Sequence, residues 1–125
     1  PKVRKLTFTG SVETGKIVAK AAAEKLIPVT LELGGKSPMI VFADCDFEKT
    51  VAGALTSMRF TRQGQSCTAA SRIYVERPIF DRFVQAMKSA VDAMVMGDPL
   101  EERTDIGTII SEGQLAKVRG FIEEG

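Results

Sequence analysis

Three short stretches of this 125-residue chain carry side chains that could do chemistry together. The first is Gly64-Gln65-Ser66-Cys67-Thr68-Ala69-Ala70. A cysteine thiolate is a potent nucleophile, and Gly64 permits a tight turn just before it. Such a turn would aim the Cys67 backbone N–H at the same space as the thiol, which pairs a nucleophile with an oxyanion donor. The alternative is a buried, inert thiol among small residues. The second stretch, Leu31-Glu32-Leu33-Gly34-Gly35-Lys36-Ser37-Pro38, puts a carboxylate near a strand end, just before two glycines. Beside a crevice, Glu32 would serve as a general base, and the glycines would let a ligand or another segment approach the backbone closely. Otherwise Glu32 is a solvated strand residue before a turn, and Lys36 is a structural ion-pair partner. The third stretch, Phe8-Thr9-Gly10-Ser11-Val12-Glu13-Thr14-Gly15, runs from a strand through a glycine turn into a helix. The first N–H groups of that helix lack internal acceptors and its dipole favours an anion, so a diphosphate fits at Gly10 and Ser11. The spacing is neither that of a P-loop nor G-x-G-x-x-G, which leaves an ordinary strand-turn-helix corner as the competing reading.

These stretches need elements to position them. Val3 to Phe8 is rich in β-formers and predicts a strand, followed by a helix over Val12 to Leu26. Pro28 opens a second strand, Val29 to Leu33, with Val29, Leu31 and Leu33 on one face and Thr30 and Glu32 on the other. Met39 to Phe42 is apolar on both faces and reads as a buried strand. Asp44 or Asp46 caps the next helix, whose stripe is Val51, Leu55 and Met58. Gln63 to Ser66 interrupts that helix, and Ala70 to Val75 is another strand. Pro78 suits the first turn of a helix carrying Phe80, Phe83, Val84, Met87, Val91 and Met94, which Gly97-Asp98-Pro99 ends. Ser111 and Gln114 form a capping box for a last helix with Leu115, Val118 and Ile122 as its seam. Strands alternating with helices predict an α/β fold with parallel pairing.

Composition removes several function classes. Apolar residues make up 44% and charged residues 26% of the chain, as in an ordinary globular protein. The 17 basic and 16 acidic side chains give a net charge of +1, so electrostatics make no case for nucleic acid or an anionic membrane. No apolar run is long enough to span a bilayer. Histidine is absent, which excludes a Ser-His-Asp triad, a Cys-His pair and a histidine-ligated zinc site within these residues. Two cysteines do not make a disulfide scaffold, and free thiols are expected. Cys45 lies between Asp44 and Asp46, where two carboxylates would repel a thiolate, and it reads as structural. A chain of this length is one domain or a piece of a larger one, and the missing Met and abrupt end lead us to expect a fragment.

Taken together, the three stretches resemble the NAD(P)-dependent aldehyde dehydrogenase superfamily. Leu31 to Pro38 matches the family's glutamate motif at every position. Phe60-Thr61-Arg62-Gln63-Gly64-Gln65-Ser66-Cys67-Thr68-Ala69-Ala70-Ser71 matches its cysteine motif, and Phe8-Thr9-Gly10-Ser11 with Gly15 is similar to its cofactor-binding turn. The resemblance implies a parallel-sheet dehydrogenase fold truncated at both ends. Residues 1–34 would close a Rossmann-like cofactor domain, and residues 35–125 would begin the catalytic domain. It implies Cys67 as the nucleophile that forms a thiohemiacetal and then a thioester. Glu32 would be the general base for its hydrolysis. It places Gly10 and Ser11 against the diphosphate of NAD or NADP, Thr14 and Gly15 on the adenosine side, and Thr9, Leu33 and Gly34 near the nicotinamide end. No metal is implied. The expected partners are a small-molecule aldehyde and further copies of a full-length parent, as dimer or tetramer, in the cytoplasm or the mitochondrial matrix. Many family members carry Asn where this chain has Arg62-Gln63, which would reshape the substrate tunnel. The isolated 125 residues are expected to be inactive. The alternatives are a coenzyme-A-acylating relative, which Glu32 disfavours, and a non-catalytic binding or structural protein derived from a dehydrogenase.

Overall fold

The computed structural model describes residues 2–125; Pro1, where the expected cofactor segment begins, lies outside them. The first unit is β-α-β: β1 (Leu6–Thr9), α1 (Val12–Glu24) and β2 (Val29–Glu32). Its strands pair in parallel, from Leu6 opposite Val29 to Thr9 opposite Glu32. The ladder starts at Leu6, three residues later than the sequence predicts. Leu6 donates to the Pro28 carbonyl at 3.0 Å, and Pro28 has no N–H to return to residues further back. Helix α1 stops two residues short of Leu26. Ile27 is held extended by Pro28, so the chain must leave the helix before it. Leu26 takes the left-handed conformation, φ +53°, while Leu26 and Ile27 donate to the Ala23 and Ala22 carbonyls. This is a Schellman closure built without glycine.

The second unit contains β3 (Pro38–Val41), α2 (Phe47–Ser57), β4 (Arg72–Val75) and α3 (Phe80–Asp92). β3 and β4 form a separate parallel pair, with Pro38 opposite Arg72 and Val41 opposite Val75. A 3₁₀ turn at Arg77–Ile79 holds Pro78 and leads into α3, which ends before Met94. Helix α4 (Glu112–Glu124) follows after a long loop. Of the two candidate caps for α2, Asp46 has the right offset and accepts from Lys49 N at 3.3 Å. Ser111 accepts from Gln114 N at 3.3 Å in the same way.

The core sits where α2 and α3 cover one face of β3–β4. Val41, Val51, Ala54 and Phe83 are buried there, and Met39, Ile73, Val75 and Cys45 pack around them. The Phe47 and Phe83 rings meet edge to face at 6.3 Å, and the Arg82 guanidinium lies 3.7 Å over the Phe47 ring. The opposite face of the pair is bare: Ile40 is 63% and Phe42 61% exposed. The expectation that Met39 to Phe42 is buried on both faces therefore fails, because no element among the described residues covers the second face. The seam of α4 fails for the same reason. Leu115 is half-buried, but Val118 and Ile122 are exposed.

Phe83→Ala is expected to cost about 3–5 kcal/mol in urea unfolding, since the ring is the largest apolar group at the centre of the cluster. The Asp46 carboxyl is held below its ordinary value, first by the Lys49 side chain and then by the Lys49 N–H. A lowered value means that this cap stabilises α2 at neutral pH and is lost as pH falls through it. Asp46→Asn is expected to lose stability at pH 7 and to narrow the gap to wild type below about pH 4. An unchanged gap across that range would contradict the assignment.

Candidate active site

The anion corner and the glutamate meet at the carboxyl ends of β1 and β2, the edge where open parallel sheets bind ligands. Thr9 lies opposite Glu32, and Gly10 N donates to the Glu32 carbonyl at 3.0 Å. Ser11 caps α1: its Oγ accepts from Thr14 N at 3.2 Å, and its carbonyl accepts from Gly15 N at 2.9 Å. Among the described residues the N–H of Val12 has no acceptor, and that of Glu13 faces its own carboxyl. The exposed Glu13 carboxyl is held below its ordinary value, first by its own N–H and then by the Ser11 hydroxyl, with Lys16 and Lys117 adding attraction. The single Ser11 hydrogen thus has two acceptors in reach, Glu13 and Thr14 Oγ1 at 3.1 Å.

Two of the expected cofactor glycines have packing roles. A Cβ on Gly10 would lie 2.5 Å from the Phe8 ring, and one on Gly15 would lie 2.4 Å from Leu33 Cδ2. Gly15 is buried and seats Leu33, the residue after Glu32, against α1. Gly34 then turns the chain at φ +109°, a conformation that favours glycine. Glu32 itself is exposed, on the face opposite Leu31 and Leu33.

The cysteine loop hangs from the end of α2. Arg59 (φ +59°) and Gln63 (φ +51°) adopt left-handed backbone on either side of a 3₁₀ turn at Phe60–Arg62. Each costs about 1–2 kcal/mol in a non-glycine residue. Hydrogen bonds hold the loop in place: the Arg59 carbonyl accepts from both Arg62 N and Gly64 N, at 2.8 and 2.9 Å. Ala70 N ties the far end back to the Ser57 carbonyl at 2.9 Å. Ala69 and Ala70 are buried and anchor it. Among the described residues, each backbone N–H from Arg62 to Ser71 finds an acceptor except that of Cys67. The Cys67 thiol is exposed and free, so it and its N–H are both available. Cys45 is half-buried against the core and also unbridged.

The glutamate and cysteine stretches touch. A Cβ on Gly35 would lie 3.1 Å from the Cys67 carbonyl oxygen. Arg72 Nε donates to the Lys36 carbonyl at 2.8 Å, and its guanidinium stands 5.9 Å from the Tyr74 ring centre. Lys36 therefore acts through its backbone, and among the described residues its side chain forms no ion pair. Arg62 is exposed, and its carbonyl accepts from Gln65 N at 2.9 Å. Sequence reasoning missed Arg59, Gln63 and Arg72. The first two carry no side-chain signal of their backbone conformation, whereas the double glycine did signal a close approach. Among the described residues no cluster of His, Cys, Asp or Glu could hold a metal, and no helix is long and apolar enough to cross a membrane. An apolar cleft of about 500 Å³ between β4 and α3 contains neither Cys67 nor Glu32. Its walls are core-edge side chains such as Ile73, Phe83 and Met87.

The pattern of the aldehyde dehydrogenase family matches residues 1–125. The chain is 47% identical over 125 residues to a betaine aldehyde dehydrogenase of Sinorhizobium fredii, covering 100% of this chain and 26% of that protein. It is 45% identical to a 4-trimethylaminobutyraldehyde dehydrogenase of Oryzias latipes, covering 99% of this chain and 24% of that one. Among solved structures, an aldehyde dehydrogenase variant from Bacillus cereus superposes with a TM-score of 0.93 at 37% identity, over 98% of this chain and 25% of the other. Betaine aldehyde dehydrogenase from Staphylococcus aureus in complex with NAD+ gives 0.91 at 39% identity, over 98% and 24%. The chain thus spans about a quarter of the length of the relatives it matches.

The Leu33 seat has a measurable consequence. A Cβ on Gly53 in α2 meets open space, so Gly53→Ala is expected to stabilise by about 0.5–1 kcal/mol. Gly15→Ala is also a helix substitution but must displace Leu33, and it is expected to destabilise instead. Equal gains in the urea midpoint would show that Leu33 does not depend on Gly15.

Proposed function

The chain belongs to the aldehyde dehydrogenase family, and on that premise we propose that it carries the nucleophile and base of an enzyme that oxidises an aldehyde to its carboxylic acid with NAD+ or NADP+. The observation that carries this reading is the cysteine loop, in which Cys67 presents an exposed thiol beside its own N–H, the one between Arg62 and Ser71 with no acceptor among the described residues. The Cys67 sulfur attacks the aldehyde carbonyl carbon, and the carbonyl oxygen gains negative charge as the thiohemiacetal forms. The Cys67 N–H is placed to donate to that oxygen, and a donor fixed in advance is worth more than one that must reorient. A bound nicotinamide would supply the acceptor for the hydride, a hydrogen with two electrons, that leaves the carbonyl carbon. Cys67 is left as a thioester. Glu32 takes a proton from water, the water oxygen bonds to the acyl carbon, and the C–S bond breaks to release the acid and restore the thiol. Glu32 also helps to deprotonate the thiol at the outset.

The cofactor is proposed to lie along the β1–β2 edge. Gly10 and Ser11 face its diphosphate, Thr14 and Gly15 its adenosine side, and Thr9, Leu33 and Gly34 its nicotinamide end. The dipole and first-turn N–H groups of α1, which starts just after Ser11, support an anion there, and Glu13 must give way to a phosphate. Residues 1–34 would then belong to the cofactor domain and residues 35–125 to the catalytic domain, with the two separate sheets on either side of that division. The working unit is the complete polypeptide, because Ile40, Phe42 and Tyr74 stand exposed along one sheet face here. Betaine aldehyde is the first substrate to try, given the names of the relatives at 45–47% identity.

In the complete polypeptide, Cys67→Ser is expected to abolish aldehyde-dependent NADH formation. Glu32→Gln is expected to release about one NADH per subunit quickly and then to turn over about 100-fold more slowly than wild type. Steady-state turnover by Glu32→Gln at the wild-type rate would remove Glu32 from its assigned role.

A further inference from the structure

The Gly35 contact is not explained by backbone freedom. Gly34 has the positive φ of this loop, whereas Gly35 does not, so alanine could adopt its backbone. What Gly35 provides is room. The nearest atom to a Cβ at this position is the Cys67 carbonyl oxygen at 3.1 Å, and the next is Ser37 Oγ at 3.8 Å. A carbonyl oxygen at that distance would have to retreat by a few tenths of an ångström. It has little freedom to do so, because Thr68 N bonds to Ser66 Oγ, Ala69 N to the Ser66 carbonyl and Ala70 N to the Ser57 carbonyl. On the other side, Arg72 Nε fixes the adjacent Lys36 carbonyl at the start of β4. The loop that follows Glu32 therefore runs between the Cys67 carbonyl, with no room for a side chain there, and Arg72.

We propose that Gly35 is a positioning residue for the nucleophile: its missing side chain leaves the room that the Cys67 carbonyl occupies, and Arg72 holds the adjacent Lys36 carbonyl in place, so that the thiol is set relative to Glu32 by this close approach. The inference rests on the catalytic roles assigned above to Cys67 and Glu32. Because the contact is with the Cys67 backbone, altering it turns the direction of the thiol and of its N–H without removing any group that binds aldehyde. The loss falls on kcat rather than on KM.

The test uses the complete polypeptide, with betaine aldehyde as substrate and iodoacetamide as the probe of thiol reactivity. Gly35→Ala is expected to lower kcat about 5- to 30-fold, with KM for the aldehyde changed less than about twofold. The rate of Cys67 alkylation should shift with it, while the melting temperature stays within a few degrees of wild type. Gly53→Ala, in open space on α2, should leave both rates unchanged. Should Gly35→Ala fail to fold, Arg72→Gln carries the test, since that side chain is exposed. It is expected to lower kcat about 3- to 10-fold at unchanged melting temperature. A folded Gly35→Ala with wild-type kcat and alkylation rate overturns the proposal, as does wild-type kcat in Arg72→Gln. If the wild-type protein oxidises aldehyde and Cys67→Ser does not, such a result strikes this proposal alone. If Cys67→Ser stays active, the catalytic reading falls and this inference falls with it.

Discussion

Five residues, Leu33 to Ser37, connect one parallel sheet to another, and the site depends on how short that connection is. A parallel strand pair needs a crossover helix, so its loops are sorted to opposite ends of the sheet. The loop leaves the carboxyl edge of β1–β2, where Gly10 and Glu32 meet, and enters the amino edge of β3–β4, where Arg72 meets Pro38. The cysteine loop arrives at that same amino edge, because it ends where β4 begins. The Gly10 turn and the Cys67 peptide, far apart in sequence, thereby lie against the two ends of one short piece of backbone that starts at Glu32.

Much of this was legible in the residues. Ser11, Asp46 and Ser111 carry the side chains that satisfy a helix's first N–H groups, and each caps the helix that follows it. Gly64 at φ +71° takes the turn its type suggests. The alternation from Val29 to Leu33 places Glu32 on the open face. The parts that could not be read depend on tertiary contact. Ile40 and Phe42 have the character of buried strand residues, but burial requires a covering element, and sequence pattern does not reveal whether one is present. Arg59, Gln63 and Leu26 adopt left-handed backbone that glycine or asparagine would ordinarily signal. At Arg59 and Gln63 the hydrogen bonds of the cysteine loop impose it, and at Leu26 the approach of Pro28 does so.

The energetics match this division. The buried apolar residues are few and mostly small: Ala22, Val41, Val51, Ala54, Ala69, Ala70 and Phe83. Val41, Val51, Ala54 and Phe83 form one cluster, while Ala69 and Ala70 anchor the cysteine loop. Local bonding therefore does much of the work of shaping the site. The cysteine loop spends its N–H groups on its own carbonyls and hydroxyls, and the left-handed residues are held by those bonds against their intrinsic cost. A loop braced in this way suits a nucleophile, because attack geometry tolerates little drift.

The most direct test of the central claim is to find where the acyl group sits during turnover. The complete polypeptide would be mixed with aldehyde and NAD+, quenched in acid within the first turnover, digested and mapped by mass spectrometry. The expected result is an acyl mass on the peptide containing Cys67 and none on that containing Cys45. Formation of the acid with no protein-bound acyl group at any time point, or acylation of Cys45 instead, would contradict the account.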